Sequence, residues 1–230
     1  MGLVERFTFI REALVTRLRQ QRRKARRADP LAVAEVELPE SALVSWAWEV
    51  CAEASAPELF NHCVRTYLWG GALARRDGVT FDAELAAVAC LLHDLALTPK
   101  YPPPGDSCFA VHGAEVSRRL LEARGVSGAR AKQVTDAVCL HLNIKVSPAL
   151  PEAYVVHEGA ALDVIGARYR ELEPHARDEV LRRFPRLRLK PLLVESLCAQ
   201  AKRSPSTRMA QLIRLGFAER VKRAPFPEKP

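Results

Sequence analysis

Residues 82–97, "DAELAAVACLLHDLAL", are apolar at almost every position from Leu85 onward until His93 and Asp94. The stretch reads as a buried helix that leads straight into an imidazole and a carboxylate, before Thr98-Pro99 breaks the chain. Burying either group without a partner is costly, the charge most of all. A metal ion compensates both at once.

The rest of the chain follows the same periodicity. Apolar spacing predicts helices over roughly 41–54, 57–76, 82–97, 111–124, 128–144, 152–167, 175–184, 189–203 and 207–221. Asp77-Gly78, the 102–105 stretch, Gly125, Pro148 and Pro151 punctuate them. Alternating strand-like runs of useful length are missing, so the class is all-α. The expected organisation is a basic N-terminal arm over 1–38, one domain over 39–222 and a flexible tail over 223–230.

Charge supports that division. Residues 1–30 carry nine Lys/Arg against three Asp/Glu, and residues 202–230 eight against two. With a net charge of +8, the middle is mildly acidic between two basic ends, unlike a nucleic-acid-binding core. No apolar run approaches the roughly 18 residues needed to span a bilayer. Cys51, Cys63, Cys90, Cys108, Cys139 and Cys198 form no CxxC pair, and several fall inside apolar helical patterns. A reducing, cytoplasmic location is the expectation.

Five polar sites fall on inward positions. His62 shares a face with Leu59, Thr66 and Trp69; His93 with Leu85, Ala89 and Ala96; His141 follows Ala131, Val134 and Val138. Asp163 lies with Val156, Gly159 and Ala160, small enough for close helix packing, and His112 opens the helix after the proline loop. Any one of these is accounted for by a core histidine or a capping aspartate. Five together, with Asp94 beside His93, point to a divalent transition metal such as Zn, Fe or Mn.

The motifs "LFNHCVRTYLWG", "ACLLHDLALTP", "CFAVHGAEVSRRLL", "VTDAVCLHLN" and "HEGAALDVIG" carry a resemblance. The chain resembles the HD-domain superfamily of metal-dependent hydrolases, an all-α helical bundle around a buried metal site. Within it the chain is similar to the cyanamide-hydratase-like branch, to which the later "FPRLRLKPLL" and "AKRSPST" are also similar. The resemblance implies metal ligands at His62, His93, Asp94 and Asp163. It also implies His112 and His141 as ligands of a second ion bridged through Asp94, or as proton donors around one. Relatives have a Gly in the stretch after the doublet where this chain reads "HDLAL", and an acidic residue is commoner at position 112. His157 and His175 match no motif and are expected at the surface or behind the ligands.

The implied function is a metal-activated water acting on a small-molecule substrate, cyanamide- or nitrile-like, with Asp94, His112 and His141 catalytic. Phe60, Trp69, Tyr101 and Phe109, aromatic residues near the motifs, suit a small neutral substrate. The alternative is a phosphohydrolase of nucleotides or phosphate esters, with Arg65, Arg118 and Lys145 as anion contacts. A dinuclear iron oxygenase and a non-catalytic binding protein using the basic ends stand behind these. A homo-oligomer is compatible with all of them.

Overall fold

The computed structural model describes residues 36–228. The expected basic arm lies outside the described residues except for 36–38. Ten α-helices follow among the described residues: α1 Ala42–Ala54, α2 Pro57–Arg76, α3 Ala83–Leu92, α4 Phe109–Ala123, α5 Gly128–Leu140, α6 Pro151–Ile165, α7 Pro174–Arg183, α8 Leu189–Arg203, α9 Arg208–Arg214 and α10 Phe217–Lys222. Short 3-10 turns occupy Leu95–Leu97 and Tyr169–Glu171. The all-α bundle stands, and none of these helices is long and apolar enough to cross a membrane.

Helix starts follow local chemistry. The side chains of Ser41 and Asp82 accept from the backbone N–H of Val44 and Leu85, and α2, α6 and α7 begin on proline. Helix α3 is apolar on every side, so it takes the centre; α1, α2, α5 and α6 pack around it. Every residue from Leu85 to Leu92 is at most 1% exposed.

Helices α2 and α6 approach most closely, and two glycines set that distance. A Cβ built on Gly70 would lie 2.0 Å from the Val155 carbonyl oxygen, and one on Gly159 would lie 1.9 Å from that of Thr66. Both obstacles are backbone, so nothing can rotate away. In an open helix, alanine would be favoured over glycine by about 1 kcal/mol. Here sterics reverse the sign: Gly159→Ala is expected to lower stability by about 1–3 kcal/mol, read from denaturant midpoints. An unchanged or higher midpoint would show that the helices separate freely.

Five expectations need correction. Residues 93–97 do not continue α3, and α5 stops at Leu140 rather than 144. In both cases a histidine side chain takes over a carbonyl at the helix end, as described below. The predicted helix over 207–221 is two helices, because Gly216 turns the chain at φ 82°. Residues 224–228 are also no free tail. Phe226 is 2% exposed between Trp69 and Tyr169, and the Lys190 Nζ donates to the carbonyls of Ala224 and Phe226, each at 2.9 Å. At the other end, packing begins before residue 39, with Val36 3% exposed in the core.

Helices α8, α9 and α10 add a second apolar cluster outside the main core. Leu189, Leu193, Leu197, Met209 and Val221 meet Leu59, Phe109 and Val164 there. The candidate site lies where this layer meets the bundle.

Candidate metal centre

Helix α3 ends immediately before His93, leaving the last carbonyls of the helix without helical partners. The His93 Nδ1 takes one of them, the carbonyl of Cys90, at 2.8 Å. Helix α5 ends the same way, with His141 Nδ1 2.6 Å from the carbonyl of Val138. On α2, His62 Nδ1 lies 2.8 Å from Asp163 Oδ2. A carbonyl or an ionised carboxylate can only accept, so all three imidazoles carry their hydrogen on Nδ1. In the neutral ring each Nε2 then presents a lone pair.

All three Nε2 atoms face one carboxylate. His93 Nε2 and His62 Nε2 lie 3.2 and 3.5 Å from Asp94 Oδ2, and His141 Nε2 lies 3.6 Å from Oδ1. All four residues are buried, Asp94 at 4% exposure. Neutral imidazoles facing an anion repel it unless positive charge sits among them, supplied by a metal ion or by a proton on a ring. The donor atoms of His62, His93 and Asp94 lie within 4.8 Å of one another, and nitrogen with carboxylate oxygen suits Zn, Fe or Mn. The Nδ1–H bonds to a carbonyl or carboxylate are those that orient metal-binding histidines. The residues fit a divalent ion.

Burial alone would raise the Asp94 carboxyl, but His93, His62 and His141 hold it well below the usual carboxylate range. Burial opposes a charged His62, and Asp163 and Asp94 outweigh it and raise its pKa. His141 goes the other way: burial, then the neighbouring His93, push it down to about 3, so it is neutral.

Asp163 stands behind His62, apart from the clustered donor atoms. Its Oδ1 accepts from Arg65 Nε at 2.8 Å, Trp69 Nε1 at 3.0 Å and Arg186 Nη1 at 3.0 Å. Its Oδ2 accepts from Arg65 Nη2 at 2.9 Å as well as from His62. Burial would raise this carboxyl too, yet Arg65, Arg186 and His62 hold it well below the carboxylate range. Five donors leave it placed to orient His62.

His112 is not brought to the site. It starts α4 half-buried, with Arg119 and Glu115 of its own helix as its charged neighbours, and does not line the cavity at the centre. Gly113, not His112, is the α4 residue that packs against the His93 carbonyl. The expectation of an inward His112 is therefore corrected. His157, expected away from the ligands, lines the cavity, with its Nδ1 3.0 Å from the His141 carbonyl. Its spacing to Ala160, Ala161 and Val164, all cavity residues, is helical and was the available signal. Of the four aromatic residues expected near the pocket, only Phe109 lines it; Trp69 serves Asp163 and Phe60 packs edge-on to Trp48.

The centre lies in a cavity of about 160 Å³ whose remaining walls are mostly apolar. Arg220, exposed, is the one Lys or Arg among its lining residues. The expected anion contacts are elsewhere. Arg65 is bound to Asp163 and to the Phe184 carbonyl, Arg118 pairs with Glu115 and Glu122, and Lys145 is exposed.

A helical bundle with a buried His/His/Asp cluster of this kind defines a class, and the HD domain matches residues 59–198. The chain belongs to the HD domain family. Its buried His62, His93 and Asp94 form a group able to hold a metal ion. The chain is also similar to the cyanamide hydratases DDI2 and DDI3 of Saccharomyces cerevisiae, 28% identical to each over 139 residues. That similarity covers 59% of this chain and 61% of each relative.

Proposed function

We propose that this chain hydrates small C≡N compounds of the cyanamide or nitrile type, using one zinc, iron or manganese ion held by His62, His93 and Asp94. The observation that carries the reading is the convergence of three imidazole Nε2 atoms on the Asp94 carboxylate. The names of the yeast relatives supply the substrate class. A divalent ion in such a site lowers the pKa of a bound water from about 15.7 to about 7.

The protein's own groups do the rest. Asp163 and the Cys90 carbonyl fix His62 and His93 in the ligating tautomer before any ion arrives. Asp94 has one oxygen toward His62 and His93 and the other toward His141, so it can ligate with one and orient a water with the other. His141 remains neutral in this setting. His157 keeps Nε2 available at the cavity wall, since its Nδ1 is engaged. These two imidazoles are placed to relay protons to the substrate nitrogen as the water oxygen joins carbon.

A phosphohydrolase would need cations beside the centre, and among the described residues lining the cavity Arg220, itself exposed, is the one Lys or Arg. The test is a substrate panel on protein loaded in turn with Zn²⁺, Fe²⁺ or Mn²⁺. Cyanamide is expected to yield urea with at least one of them, while nucleoside monophosphates and bis(4-nitrophenyl) phosphate stay intact. Phosphate release without cyanamide hydration would overturn the reading.

A further inference from the structure

We infer that the substrate's non-reacting part is an apolar group about the size of a benzene ring, seated between α6 and the α8–α10 layer. This rests on the hydration reading above for the reacting end only.

The cavity joins a polar cluster to walls that are otherwise mostly apolar. The histidines and Asp94 line it together with Phe109, whose ring lies 5.7 Å from that of His141, and with Val164, Leu197, Met209, Leu212 and Phe217. A wholly apolar cavity of about 150 Å³ accepts benzene, and this one, its polar cluster included, measures about 160 Å³, which sets a single ring as the upper size for the apolar group. Cyanamide has three non-hydrogen atoms and a polar amine. It would leave most of these walls without a partner, forfeiting their dispersion contacts. A ring or branched alkyl group fills them and is drawn in by the same burial that drives folding.

The origin of the walls supports a specificity role. The triad lies within the family match over 59–198, whereas Met209, Leu212 and Phe217 come after it. They belong to the second apolar cluster, separate from the core that holds the bundle together. One part of the chain thus carries the shared chemistry, and a later part shapes what can reach it.

The test uses the full zinc-loaded chain and toluene, which has no reacting group and so reports the cavity alone. Calorimetry is expected to show one saturable toluene site. Ala161→Phe and Leu212→Phe, at two half-buried lining positions, should each weaken it at least about tenfold, as a misfitted apolar group typically does. Thermal melts confirm that each variant is folded, and either one suffices. In the wild type, kcat/KM for benzonitrile hydration to benzamide should exceed that for cyanamide at least about tenfold. Cyanamide hydration without a toluene site, or with benzonitrile inert, overturns the inference and leaves the hydration reading intact. A toluene site with neither nitrile hydrated upholds the apolar cavity and overturns that reading instead.

Discussion

Asp94→Ala is expected to lose bound divalent metal and turnover together. Among the described residues Asp94 is the only anion within reach of the His62, His93 and His141 Nε2 atoms, and its carboxylate meets all three within 3.6 Å. Without it two or three neutral nitrogens remain, with no charge to offset the stripping of water from a cation. Loss of an outer hydrogen-bond partner alone typically costs 10–100-fold in metal affinity, so loss of a direct ligand should exceed about 100-fold. The fold should survive, because the substitution takes a charge out of the interior and leaves three imidazoles already bonded through Nδ1. Elemental analysis of desalted protein, alongside a thermal melt, separates the two effects. A folded variant that keeps one equivalent of metal and full turnover would make the doublet structural only.

Asp163→Asn is the counterpart in stability. Asp163 is fully buried among two guanidiniums, an indole N–H and His62. An amide of the same shape removes the negative charge and turns one end into a donor facing donors. Breaking a buried ion pair from one side typically costs about 3–5 kcal/mol. For a domain of this size that is a fall in melting temperature of about 6–20 °C.

The pH dependence carries the sign. The folded-state pKa of Asp163 is depressed, so its contribution is complete above the unfolded carboxylate value of about 3.9 and is lost as pH falls through the folded one. The difference between wild type and variant should therefore be largest near neutrality and shrink in acid. Chelator-treated samples should show the same deficit, since it arises from Arg65 and Arg186 rather than from metal. A variant within about 1 kcal/mol of wild type at pH 7 would mean that water compensates the two guanidiniums.

Much of this was readable along the chain, and the reasons are local. Helices α2, α3 and α6 carry their boundaries in prolines, caps and apolar periodicity, which need no distant partner. His62, His93, Asp94 and His141 were visible because each interrupts an apolar stripe. Asp163 was visible for the same reason, but the stripe could not say whether its carboxylate faces a metal or an arginine. Arg65 and Arg186 are 98 and 23 residues from Asp163, and only packing brings them to it. His112 shows the opposite error: a helix start was legible, and the direction in which that start faces was not.

The sequence by itself determined an all-α chain, a buried histidine–aspartate doublet and the motifs of the HD domain. These follow from periodicity, burial cost and residue chemistry, all expressed within one turn or one helix. The tertiary structure alone decided the tautomers, through helix-end carbonyls at Cys90 and Val138 that face His93 and His141. It alone decided that Gly70 and Gly159 hold α2 against α6, and so hold His62 against Asp163. It also placed the apolar residues of α8–α10 over the centre rather than elsewhere on the bundle. Hydrophobic pattern tells a helix that it must bury a face, and the shape of the surrounding bundle decides against what.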